Sequence, residues 1–80
     1  MKLNEFEEMF FNVIKKWDVY STQVIRNKMI LNNEYKNKLH NTCELIAFRN
    51  HISVHDALHS YLRNGEISRV KNEYLTTGKI

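Results

Sequence analysis

The chain contains no proline, and its first glycine is Gly65. For 64 residues, therefore, nothing forces the backbone out of a helix, and no stretch has the make-up of a linker. Apolar residues recur at three and four throughout, and no alternating strand pattern occurs. These features predict an all-α fold, a single helical domain over residues 1–80. It should be a small three- to four-helix bundle, with or without one long central helix. Eighty residues lie near the lower size at which a core stabilises a domain alone, so a partner or a second copy is expected to supply burial.

Asn4 with Glu7 reads as a capping box. Phe6, Met9, Phe10, Val13, Ile14 and Trp17 then form one face of a helix ending near Asp18. Phe11 falls off that stripe. With Lys15 one turn on, it is assigned to a partner-binding surface. Ser21 and Thr22 are candidate caps for a second helix. Val24, Leu31, Tyr35, Leu39 and Ile46 share a face of a helix running to about residue 50, roughly 40 Å long if unbroken. Asn32 and Asn33 are the one candidate break within it. Ile30 and Phe48 lie opposite that stripe, so this helix needs cover on two sides, and both residues join the partner-binding set. Ser53 starts a further helix, with Asp56 three residues on and Val54, Ala57, Leu58, Tyr61 and Leu62 facing in. Asn64 and Gly65 close it. A last helix runs from Glu66 to about Thr76, with Ile67, Val70, Tyr74 and Leu75 inward and Gly78 as its stop.

The segment "IAFRNHISVHDALHSYLRNG" invites comparison with a DNA-binding helix-turn-helix. Ala47, Ile52 and Ser53 suit that motif. His51 stands at its usual glycine, Asn50 at an apolar position and Ser60 at a core position, and these do not suit it. The net charge is +3, concentrated in residues 21–50. If nucleic acid were bound, Arg26, Lys28, Lys36, Lys38 and Arg63 are the residues that would meet phosphate.

His40 with Cys43 and His55 with His59 have spacings that place each pair on one helix side. Two such pairs could build a tetrahedral zinc site. The spacing is not that of a known zinc module, and boundary histidines explain it more simply, so no metal and no cofactor is expected. No glycine-rich phosphate loop, nucleophile elbow or isolated carboxylate pair is present, and no catalytic residue is assigned. With a single cysteine, no internal disulfide can form, and neither a membrane span nor a secretory signal is visible; a cytoplasmic location is the expectation.

The stretch "ELIAFRNHISVH", Glu44 to His55, resembles the small all-helical regulatory proteins of T-even-type bacteriophages. That family spans anti-sigma proteins and lysis-inhibition accessory factors. The resemblance implies a non-enzymatic inhibitor or accessory factor that binds another protein, in host transcription or in lysis timing. It identifies neither the target nor any functional residue. The expected partners are thus another protein and a second copy of the chain, with a DNA-binding regulator as the alternative.

Overall fold

The computed structural model describes all 80 residues. It contains five α-helices, α1 (Leu3–Ile14), α2 (Val19–Leu31), α3 (Asn33–Asn50), α4 (Val54–Tyr61) and α5 (Ile67–Thr77). No strand is present. The last two helices are nearly continuous, joined through a widened turn at Leu62–Glu66. That turn closes through Asn64 and the left-handed Gly65 (φ 108°), as the sequence predicts.

Helix α1 buries Phe6, Phe10, Val13 and Ile14. It begins at Leu3, ahead of Asn4, and no side chain caps it, so the capping box does not form. Glu7 instead reaches across to Lys36 on α3, at 3.3 Å. The helix stops at Ile14, short of Asp18. The amides of Lys16 and Trp17 donate to the carbonyls of Val13 and Ile14, a tightened last turn.

The expected long helix is two helices. Asn32 leaves the helical region (φ −125°, ψ 97°), and its Oδ1 accepts the amide of Tyr35 at 2.9 Å, an N-cap for α3. Its amide group also donates to the Ile80 carbonyl at 3.0 Å, fixing the C-terminus. This break changes the register of α2. Freed from continuity with α3, α2 buries Thr22, Ile25, Lys28 and Met29, while Val24 is half-buried and Leu31 is exposed. Ser21 and Thr22 lie inside its first turn, which starts at Val19; their hydroxyls bond to the side chain and carbonyl of Asp18. Helix α3 buries Tyr35, Leu39, Cys43 and Ala47, one residue per turn.

Between α3 and α4 the chain turns at His51, which adopts a left-handed conformation (φ 55°, ψ 42°). The Ile52 amide donates back to the Ala47 carbonyl at 3.1 Å, the closing bond of a Schellman-type end. Ser53 then caps α4 by accepting the Asp56 amide at 3.0 Å. On α5, Ile67 and Val70 are buried, but Leu75 is exposed and does not face in.

Fifteen apolar residues form a single core to which every helix contributes. Helix α3 packs against α1, α2 and α4, and α2 lies along α5. No buried polar side-chain atom lacks a hydrogen-bond partner.

His51 is the only non-glycine residue with positive φ. A side chain there costs what glycine would avoid. Replacing His51 with Gly should therefore raise stability by about 0.5–1 kcal/mol, seen as a higher melting temperature by circular dichroism. A lower melting temperature would mean that the imidazole makes a stabilising contact there.

Candidate functional site

The residues assigned from sequence fall into three groups. The first is used inside the molecule. Lys28 is buried, its ammonium 2.7 Å from Glu73 on α5 and 4.8 Å from the centre of the Tyr35 ring. Lys36 is paired with Glu7. Neither is free to meet phosphate. Arg26, Lys38 and Arg63 remain at least partly accessible, on α2, on α3 and in the turn after α4. Acidic groups lie among them: Lys38 shares a shallow hollow with Glu34 and Glu73. Of the five, two are thus paired internally and the remaining three lie on three different elements.

The second group is Phe11 and Lys15. Phe11 is half-buried; its ring meets Phe10 edge-on at 5.5 Å between centroids and packs against the core. The sequence places Phe11 on the polar side, free for a partner; the stripe is as expected, but packing against the core covers part of Phe11, so it is not a free anchor. Lys15 is exposed at the end of α1.

The third group is the exposed apolar residues. Phe48 is 82% exposed and Leu45 48%, one turn apart on the outer side of α3. Ile52, 38% exposed, follows just past the left-handed corner. Arg49, also exposed, stands beside them. Ile30 is exposed on α2, not on this ridge, and has Leu31, Tyr20 and Val19 as exposed companions. Leu45, Tyr20 and Val19 carry no assignment from sequence, and Ile52 carries one only as a turn residue. Their signal is the two-sided apolar pattern of residues 19–52, which does not by itself tell which side is core.

The histidines and the cysteine are separated by their neighbours. The His40 Nε2 lies 2.8 Å from the Met1 carbonyl and 2.9 Å from Glu44, and its ring tilts against Phe6. Cys43 is buried, and burial pushes its thiol up to about 12, so it is an apolar packing group rather than a nucleophile. His55 and His59 contact each other edge-on at 4.8 Å. No three His, Cys, Asp or Glu side chains are grouped closely enough to hold a metal ion.

One polar cluster gave no signal as a site. The Glu66 carboxylate is buried at the start of α5. It accepts the Tyr35 hydroxyl at 2.7 Å and two bonds from the Arg69 guanidinium, at 2.6 and 2.9 Å. Arg69 also donates to Glu73 at 3.0 Å, and Glu73 takes Lys28. Burial, and then the carboxylate beside it, push the Tyr35 phenol well above its usual range, so it stays a donor. Every member of the cluster is partnered, which suits a structural tie rather than a reactive group.

Comparison with known proteins finds no matching family model, no matching curated protein and no matching solved structure.

Three ionisable groups make stability depend on pH on the acid side of neutrality. The hydrogen bond from Lys28 holds the Glu73 carboxyl below its ordinary 4.5, and that from the N-terminal ammonium does the same for Glu44. Desolvation and then the neighbouring His55 charge hold His59 below 6.5. All three pKa values are depressed on folding, so the unfolded chain binds more protons and stability falls as pH falls. Urea midpoints should decline slightly below pH 6.5, through His59, and more steeply below 4.5, through the two carboxylates. Glu73→Gln should flatten the acid limb. An unchanged acid limb in that variant would show that the Lys28 pair is not coupled to folding.

Proposed function

We propose that this chain is a small non-enzymatic regulator that works by binding another protein, and that the ridge of Leu45, Phe48 and Ile52 meets its target. The observation that carries this reading is Phe48, 82% exposed on an otherwise ordered helix. A phenylalanine held in water forgoes burial worth roughly 1.5–3 kcal/mol. Interfaces concentrate their energy in such aromatic anchors. Arg49 beside it supplies the polar rim that such contacts use.

The ridge also lies within Glu44 to His55, the segment that resembles the T-even phage regulators. On this proposal the target belongs to the machinery such proteins control, host transcription or the timing of lysis. The same ridge would then explain why the resemblance is confined to that segment: it is the part of the chain a target touches.

The DNA-binding alternative draws on the left-handed corner at His51, which stands at the usual glycine of a helix-turn-helix turn. Against it stand Ser60, exposed where that motif needs a core residue, and the internal pairing of Lys28 and Lys36.

The test is capture from the native host with wild type and Phe48→Ser, each checked for helicity. A target held by wild type should bind Phe48→Ser about tenfold more weakly or worse, with unchanged circular dichroism. Binding should persist at moderately raised salt, whereas phosphate-driven DNA binding would fall steeply. Equal capture by both proteins, or retention of nucleic acid alone, would refute the reading.

A further inference from the structure

The outward face of α2 has a composition unlike the rest of the surface. Its exposed residues include Val19 (58%), Tyr20 (83%), Ile30 (54%) and Leu31 (70%), with Gln23 and Asn27 between them. No carboxylate or lysine stands among them. Lys28 is turned inward to Glu73, and Arg26 lies at the margin, one turn before Ile30. The chain as a whole carries a net charge of +3, so this face is a place where two copies can approach without bringing lysines together.

The pattern also reads the same from both ends. Two large apolar residues open it, Gln23, Val24, Arg26 and Asn27 occupy the middle, and two large apolar residues close it. A twofold interface requires that the same patch be complementary to itself, so that residue i meets residue j and j meets i. A different protein partner would impose no such symmetry.

We infer that two copies of this chain pair through α2, antiparallel, about a twofold axis passing near the middle of the helix. At 3.6 residues per turn, Val19, Gln23, Arg26 and Ile30 follow one flank of the face, and Tyr20, Val24, Asn27 and Leu31 follow the other. A twofold of this kind sets each flank against its own copy running in reverse. Tyr20 of one copy then meets Leu31 of the second, and Val19 meets Ile30. Val24 meets Asn27, and Gln23 presents its carbonyl to the Arg26 guanidinium. The pairings on one flank centre between Ile25 and Arg26 and those on the other between Val24 and Ile25, so the axis passes at Ile25, and each Arg26 faces a glutamine rather than the second Arg26. Helix α2 has 13 residues and is about 20 Å long. One such face is smaller than the roughly 800 Å² per partner of a standard interface, so the dimer is a weak one, forming in the micromolar range.

This surface is on a different helix from the Phe48 ridge, and the two are tested separately. Wild-type protein followed by analytical ultracentrifugation from low to high micromolar concentration should pass from monomer to dimer. Leu31→Glu, at an exposed position, should weaken that dimer roughly tenfold or more with unchanged helicity, and Phe48→Ser should leave it unchanged. Orientation is read by disulfide trapping. An oxidised mixture of Tyr20→Cys and Leu31→Cys chains should give a linked dimer of one of each, and neither variant alone should link to itself. Buried Cys43 stays out of this reaction. A protein that remains monomeric throughout would overturn the inference. So would a dimer dispersed by Phe48→Ser but not by Leu31→Glu, or efficient self-linking of Tyr20→Cys, which requires a parallel pair.

Discussion

The Glu66 carboxylate, buried where α5 begins, is the interaction around which the helices are arranged. It holds the Tyr35 hydroxyl of α3 on one side and the Arg69 guanidinium on the other. Arg69 passes the connection to Glu73, and Glu73 to Lys28 of α2. A single chain of charge-assisted hydrogen bonds thus joins α2, α3 and α5. Its inner end is dry, and its Arg69 end is half open to water. The inner end therefore carries most of the energy, since an exposed ion pair contributes little. A buried carboxylate with every acceptor used is tolerable, whereas the same group missing one partner costs several kcal/mol. The arrangement accordingly specifies which helix faces meet, beyond what apolar packing alone would decide.

The exposed apolar faces follow from that arrangement. Because Lys28 is drawn inward to Glu73, the outward side of α2 loses the one lysine it would otherwise display. Because Tyr35, Leu39, Cys43 and Ala47 turn one side of α3 to the core, Leu45 and Phe48 are left on its outside. The domain is then a core of fifteen residues with two separate apolar surfaces of different character. The face of α2 lacks lysines and carboxylates, has Arg26 at its margin and is apolar at both ends, which suits a second copy. The ridge on α3 is asymmetric and edged by arginine, which suits a different protein. An 80-residue chain has little core to spare, and exposing so much apolar surface is consistent with surfaces that are covered when the protein works.

Much of the fold was legible because helix signals are local. The absence of proline, the Ser53 cap, the Gly65 and Gly78 stops and the stripe of α1 all depend on neighbours in sequence, and all appear where expected. The break at Asn32 was visible only as a candidate, because an asparagine caps a helix or sits within one according to what its side chain finds. Here it finds the Tyr35 amide and the C-terminal carbonyl of Ile80, and the second contact is 48 residues away. The register of α2 depends on the same break: a stripe from Val24 to Ile46 has meaning only on one continuous helix. Lys28 looked like a surface cation and Glu66 like a helix-start acid, since nothing local shows that a partner 45 or 31 residues away will bury them. Phe11 and Leu75 show the converse limit. Periodicity says which residues share a side, while the helices packed against them decide how much of that side is covered.

The claim that the Glu66 tie organises the helices is tested most directly by a double-mutant cycle on its dry end. Tyr35→Phe, Glu66→Leu and the double variant would be compared with wild type by urea denaturation. Glu66→Leu alone strands a buried phenolic hydroxyl, a penalty that the double variant removes. The account predicts that the double variant is destabilised less than the sum of the two single variants, by about 1 kcal/mol or more. Strict additivity of the two substitutions would contradict it.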